Sequence, residues 1–210
     1  MSGYRLAAVL GLAAACALPV LAPPARAETL PAAFMVKGVA ADDLLNIRAE
    51  PTASAEILGT IEPQALNVEV TEISPDGKWG LVAAGGERNG WVALRYLERQ
   101  PVLDPALLPR PMTCLGTEPF WRLGLFDQGA EWQTPETPRS DLSVAQEAVA
   151  PEGFLIHAED GAERLYTLTI QRALCGDGMS DRRYGFAARL FVETPEGNRL
   201  LSGCCTLDKR

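Results

Sequence analysis

The densest group of side chains that could do chemistry lies in residues 175–186, which read CGDGMSDRRYGF. The charged members of this segment are Asp177, Asp181, Arg182 and Arg183. The planar guanidinium of arginine suits a carboxylate or a phosphate. The carboxylates, together with Glu118, would offer oxygen ligands to Ca²⁺, although their spacing is not that of an EF-hand. The interpretation we favour is structural, a turn whose arginines pair with acids.

The rest of the sequence offers little support for catalysis. His157 is the single histidine, and no serine stands in a G-x-S-x-G nucleophile motif. A zinc site would lack histidine ligands, so we expect no metal and no cofactor. We therefore predict a protein that is not an enzyme. The alternative is a hydrolase of envelope material, in which Glu118 and either Asp177 or Asp181 would act as acid and base.

The cysteines predict two disulfides. Cys114, Cys175, Cys204 and Cys205 all lie beyond residue 113. Consecutive side chains on a strand point to opposite faces, and a bridge between two neighbouring cysteines is strained. We therefore expect Cys114 and Cys175 each to bridge to one member of the Cys204/Cys205 pair, in an order that stays open. Such bridges persist in an oxidising compartment.

The first 27 residues have the layout of a secretory signal peptide. A short basic start precedes an apolar run over residues 6–21, and Ala25-Arg26-Ala27 offers a cleavage site. The apolar run is shorter than a membrane span requires, so we expect no span once the signal is removed. A periplasmic or secreted protein follows from this interpretation. The alternative is a lipoprotein signal with lipidation at Cys16.

The charge balance argues against two classes of partner. The chain carries 19 basic and 27 acidic residues, a net charge of −8. Removal of the signal would take Arg5 and Arg26 away and make the charge more negative. Nucleic acids and anionic membranes bind basic surfaces, so we expect neither as a partner.

Short apolar runs separated by turn signals predict an all-β chain. Between residues 35 and 98 we expect strands at 45–48, 57–61, 66–73 and 79–83, and a last strand beginning at Gly90. The sequence Ser74-Pro75-Asp76-Gly77 is a strong turn signal between two of them. Short strands over so few residues are typical of a small barrel.

This segment resembles the bacterial SH3-like domain. The resemblance rests on LNIRAEP at 45–51, KWGLV at 78–82, GWV at 90–92 and YL at 96–97. It implies an adaptor that binds cell-wall peptide or envelope proteins and has no catalytic residues of its own. Trp79, Trp91 and Tyr96 are the candidates for a binding groove. We favour core positions for both tryptophans, because so small a domain needs its large side chains inside.

A second β unit is expected at residues 113–210, after a proline-rich linker over residues 99–112. Apolar alternation predicts strands at 120–126, 131–134, 154–157, 165–172, 183–193 and 199–207. Strands joined by short turns predict an antiparallel sheet that curls into a barrel or forms a sandwich. The predicted disulfides would brace this unit.

Three motifs of the second unit resemble those of a family of uncharacterised bacterial envelope proteins. They are CLGTEPFW at 114–121, DGMSDR at 177–182 and GCC at 203–205. This resemblance implies no activity. The expected disulfides would bring Glu118 to the same rim as the charged side chains of residues 175–186, with Trp121 nearby as an anchor. We therefore predict an exported, non-catalytic binding or adaptor protein of the bacterial envelope.

Overall fold

The computed structural model describes residues 29–101, 107–161 and 163–208. The expected signal peptide and Cys16 lie outside these residues. Every regular element in the described part is a strand, apart from one short 3-10 turn at Leu94–Tyr96. The chain is therefore all-β, as predicted.

The N-terminal unit contains eight short strands. They are β1 Ala32–Val36, β2 Leu45–Arg48, β3 Ile57–Ile61, β4 Val68–Val70, β5 Glu72–Ile73, β6 Trp79–Ala83, β7 Asn89–Ala93 and β8 Leu97–Arg99. Strand β1 pairs with β4 and β8, and the remaining strands form a five-stranded sheet in the order β3-β2-β7-β6-β5. The two sheets enclose one apolar core that includes Phe34, Ile47, Val68 and Val92.

The segment 66–73 differs from the single strand that the sequence predicts. The chain leaves one sheet after Val70 and enters the other at Glu72, so that β4 pairs with β1 whereas β5 pairs with β6. Such a change of sheet closes a small barrel at a corner. Apolar residues stand on both sides of the corner, at Val70 and Ile73, and neither Gly nor Pro marks it, so the sequence pattern alone shows no break there.

The C-terminal unit is a closed barrel of eight antiparallel strands. They are β9 Met112–Thr117, β10 Phe120–Phe126, β11 Gly129–Gln133, β12 Ser140–Ala150, β13 Gly153–Glu159, β14 Leu165–Gly176, β15 Arg183–Thr194 and β16 Gly197–Thr206. Each strand pairs with the next one in the chain, and β16 returns to pair with β9. Closure removes every free sheet edge, and it decides between the barrel and the sandwich that the sequence left open.

Two strands of this barrel are absent from the sequence prediction. Strand β9 begins within the expected linker, and β12 lies in a segment to which we assigned no strand. In β12 only Leu142 is buried, and its other residues are exposed or half-buried. A strand with so few inward apolar side chains shows no period-two hydrophobic pattern.

The disulfides join neighbouring parts of the barrel in the expected manner. Cys114 of β9 bridges to Cys205, and Cys175 of β14 bridges to Cys204. The adjacent cysteines of β16 therefore take partners from different strands. The structure also resolves the order of pairing, which the sequence left open.

Candidate functional site

A groove on the N-terminal unit gathers two of the predicted binding residues. It has a volume of about 420 Å³ and is lined in part by Trp79 and Tyr96, with the charged side chains of Asp43, Arg48 and Arg95 around them. The Arg95 guanidinium lies 4.7 Å from the centre of the Tyr96 ring. Aromatic surface next to charges of both signs is suited to a peptide, whose backbone and side chains offer complementary groups.

A tight turn places Trp79 at the start of β6. Ser74 Oγ donates a hydrogen bond to Asp76 Oδ1 at 2.6 Å and accepts one from the Trp79 backbone N–H at 3.0 Å. The bond from Ser74 lowers the pKa of Asp76, as does a weaker one from the Lys78 backbone. Gly77 adopts a φ of 71°, which a residue with a side chain rarely tolerates. The turn predicted from Ser74-Pro75-Asp76-Gly77 therefore fixes the backbone of Trp79, which lines the groove.

The core positions expected for the two tryptophans are not observed. Trp79 and Trp91 are half-buried and stand outside the apolar core of the N-terminal unit. On β6 and β7, Val82 and Val92 fill the core, and the residues alternating with them face the other side of the sheet. The aliphatic residues already fill the core, so the tryptophans are left on the surface. Trp91 does not line the groove.

The segment that first suggested chemistry is held together by Asp177. Its carboxylate accepts hydrogen bonds from the backbone N–H groups of Met179 and Ser180, at 3.0 and 2.9 Å, and from the Ser180 hydroxyl. Burial raises the pKa of Asp177, but these hydrogen bonds outweigh it and hold the pKa below its usual range. An ionised, bond-saturated carboxylate stabilises a turn and is a poor proton donor at neutral pH.

Two other residues of this segment contact the N-terminal unit. Arg183 forms an ion pair with Glu72 at 2.6 Å, and the Asp181 carbonyl accepts a hydrogen bond from Asn89 at 2.9 Å. Arg182 lies 4.8 Å from the centre of the Tyr184 ring. We call residues 177–183 the charged loop. It connects the two units and does not present its arginines together to solvent.

A buried carboxylate lies at the same junction. Glu69 of β4 is 4 % exposed, and it accepts hydrogen bonds from the Thr206 hydroxyl at 2.6 Å and the Leu207 backbone N–H at 3.2 Å. Burial raises its pKa to about 7, against the lowering effect of these two bonds. We call this contact the domain junction. No sequence pattern points to this contact, because Glu69 alternates with Val68 and Val70 as an ordinary outward-facing residue would.

Glu118 and Trp121 occupy different environments near this loop. The Thr117 hydroxyl donates a hydrogen bond to the Asp177 carbonyl at 2.8 Å, which places the neighbouring Glu118 beside the charged loop with its side chain exposed. Trp121 is 3 % exposed and belongs to the apolar core of the barrel. The structure therefore brings the segments of Glu118 and Asp177 together in space, whereas Trp121 is buried in the barrel core.

Two glycines explain why Trp121 occupies that position. A Cβ added to Gly116 would stand 2.7 Å from the Cε2 atom of Trp121, and one added to Gly203 would stand 2.6 Å from its Cζ2 atom. The indole N–H donates to the Ser202 carbonyl at 3.3 Å. The GTEPFW and GCC motifs of the sequence thus meet around one ring, and their glycines leave the space that it occupies.

Neither a metal centre nor a membrane-spanning helix is found in the part of the chain that the structure describes. Within residues 29–101, 107–161 and 163–208, no three His, Cys, Asp or Glu side chains are grouped so as to hold a metal ion. Across the same residues, no helix has the length and hydropathy needed to cross a membrane.

Comparison with known families identifies part of the chain. Residues 43–98 match the model of the bacterial SH3 domain. The N-terminal unit contains a bacterial SH3 domain. The match covers the groove wall formed by Trp79 and Tyr96, and strand β1 of this unit precedes it. No curated protein and no solved structure matches the chain. The resemblance of the C-terminal barrel to envelope proteins therefore has no support from these comparisons.

Proposed function

We propose that the protein is an exported, non-catalytic binding protein whose SH3 domain recognises the peptide of the bacterial cell wall. The groove that contains Trp79 and Tyr96 is the observation that carries this proposal. Bacterial SH3 domains are binding modules of the cell wall in general, and the two disulfides are consistent with an oxidising compartment outside the cytoplasm.

The groove has the chemistry that a wall peptide requires. Such peptides carry carboxylates and amines on a short chain, and the lining of the groove includes one carboxylate, Asp43, and two arginines, Arg48 and Arg95. Arg48 is held in place because its guanidinium donates to the Ala55 carbonyl at 2.8 Å. A pre-positioned arginine loses less side-chain entropy on binding than a free one.

The hydrolase alternative gains no support from the geometry. Its acid and base were to be Glu118 with Asp177 or Asp181. Asp177 is engaged by hydrogen bonds within its own loop, and Asp181 stands where that loop meets the SH3 domain. We therefore keep the binding function as the proposal.

Retention of the full chain on purified peptidoglycan tests this proposal. We expect Trp79→Ala to reduce retention at least about tenfold, because an aromatic anchor at a binding site contributes about 2 kcal/mol or more. Trp91→Ala is the matched control, since Trp91 lies on the same domain outside the groove, and it should bind as the wild type does. Failure of the wild-type chain to bind peptidoglycan would exclude the cell-wall ligand. Equal losses in both variants would exclude the groove.

A further inference from the structure

One end of the C-terminal barrel opens into a cavity of about 750 Å³. The turns β9–β10, β11–β12, β13–β14 and β15–β16 surround it, and we call this region the barrel mouth. An eight-stranded barrel is just wide enough to be filled by side chains or to hold one small ligand. Here the interior is packed with apolar residues below the mouth, whereas the mouth itself is open.

Three aromatic residues form the apolar lining of the mouth. The rings of Trp121 and Trp132 are stacked with their centres 6.0 Å apart, and the Tyr166 ring lies 5.3 Å from that of Trp132. All three are buried and line the cavity. They provide a rigid surface on which an apolar or aromatic body can rest without the ordering of flexible side chains.

A single unpaired cation stands above this lining. Arg199 is directly opposite Val192 in the β15–β16 ladder, and directly opposite residues of an antiparallel pair share a face. Val192 is buried in the barrel interior, so Arg199 occupies an inward register position at the mouth. No ion-pair or hydrogen-bond partner of Arg199 is found within residues 29–101, 107–161 and 163–208.

The other charged residues of the mouth form no ion pair with Arg199 in the part of the chain that the structure describes. Arg164 forms an ion pair with Asp160 at 3.1 Å, and the Tyr166 hydroxyl donates to the same carboxylate at 3.3 Å. Glu136 and Glu196 also line the mouth and are exposed, as Arg199 is, but neither forms an ion pair with Arg199 within residues 29–101, 107–161 and 163–208. Arg199 is therefore the cation of the mouth that is left to attract one negative charge.

We propose that the barrel mouth is a second binding site, which takes a small organic monocarboxylate with an apolar body. The body rests on Trp121, Trp132 and Tyr166, and the carboxylate pairs with Arg199. This site is separate from the SH3 groove, so the experiment that tests it does not depend on the proposed cell-wall function.

Titration of the full chain with decanoate and with decanamide tests the site. The two probes share an apolar body and differ in charge. We expect decanoate to bind at least about tenfold more tightly, because a hydrogen bond between a guanidinium and a carboxylate is stronger than one to a neutral amide. Arg199→Gln should remove that preference. Arg122→Gln removes an equal charge from the exposed residue next to Trp121, and it should keep the preference.

Amide and indole NMR spectra of the same samples locate the binding. We expect the indole N–H signals of Trp121 and Trp132 to shift on addition of decanoate, while those of Trp79 and Trp91 stay in place. Shifts confined to the SH3 tryptophans would overturn the proposal, as would equal affinity for the two probes or unchanged decanoate binding by Arg199→Gln. Lack of saturable binding up to about 1 mM, the limit of weak affinity, would also overturn it.

Discussion

The charged loop and the barrel mouth differ in whether their charged side chains already have hydrogen-bond or ion-pair partners. In the charged loop, Asp177 accepts hydrogen bonds from its own turn and Arg183 pairs with the SH3 domain. In the barrel mouth, Arg199 has no partner in the described part of the chain and the aromatic lining is open to a cavity. The loop has the denser sequence of charged residues, but the mouth has the groups that remain available to a ligand.

The type of a charged residue and its availability to a ligand are therefore separate properties. A carboxylate or guanidinium becomes a binding group only where the fold leaves its charge unpaired and accessible. The charged loop uses its charges to join two domains, which is an architectural role. We expect substitutions there to change stability, and substitutions of Arg199 to change binding.

The largest effect on stability should come from a glycine that packs against the Trp121 ring. Gly203→Ala would place a Cβ against the Leu115 backbone and 2.6 Å from the Trp121 ring, so we expect a loss of about 3 kcal/mol. Gly176→Ala is the control, because nothing lies within 4 Å of its added Cβ. It should change stability by less than about 0.5 kcal/mol. Urea unfolding measures both variants, and similar losses would show that Gly203 does not act through this contact.

The next effect concerns the domain junction and depends on pH. The pKa of Glu69 is raised from 4.5 to about 7, so the folded protein keeps this proton over a range in which the unfolded chain releases it. Stability from this group is therefore complete below about pH 4.5 and is lost as the pH rises to about 7, by about 3 kcal/mol. The nearby charges of Asp208 and Arg182 act in opposite directions on this pKa.

Glu69→Gln tests this pH dependence, because glutamine stays neutral and keeps an acceptor for the Thr206 hydroxyl. We expect wild-type stability to fall relative to that of the variant between pH 5 and pH 8, as measured by urea unfolding. Parallel pH profiles of the two proteins would contradict a raised pKa at the domain junction.

The smallest effect should come from the exposed ion pair between Arg183 and Glu72, whose side chains are 57 % and 36 % exposed. Solvent screens such pairs, so a double-mutant cycle with Arg183→Gln and Glu72→Gln should give a coupling energy below about 1 kcal/mol. A larger coupling would mean that the charged loop contributes more to the junction than its exposure suggests. Neither substitution should alter decanoate binding at the mouth.

Much of the fold could be predicted from local sequence patterns. Strands β6 and β10 begin and end where the alternation of apolar residues predicted them, and the Ser74–Gly77 turn has the expected role. Strand β12 could not be predicted, because only Leu142 is buried and the pairing of the strand comes from its neighbours in the barrel. Propensity and pattern are informative only where a strand has one apolar face.

The candidate sites were less predictable than the fold. The sequence pointed to Trp79 and Tyr96, which meet at one groove, but it favoured a core position for Trp79 that the structure does not show. It gave no hint of the barrel mouth, whose aromatic residues come from β10, β11 and β14. Such a site exists only when the barrel closes, because closure brings distant strands together.

Composition, turn residues and cysteine positions by themselves determined the all-β class and which cysteines could bridge, and the motifs of residues 45–97 carried the resemblance to the bacterial SH3 domain. These properties are local, since they depend on side-chain alternation and on residues with special backbone preferences. Only the tertiary structure decided which charges are paired. Glu69 became a buried carboxyl and Arg183 a partner of the SH3 domain because the barrel packs against them, whereas Arg199 stayed unpaired at the mouth. Pairing depends on distances between segments far apart in the chain, and the linear sequence does not contain those distances.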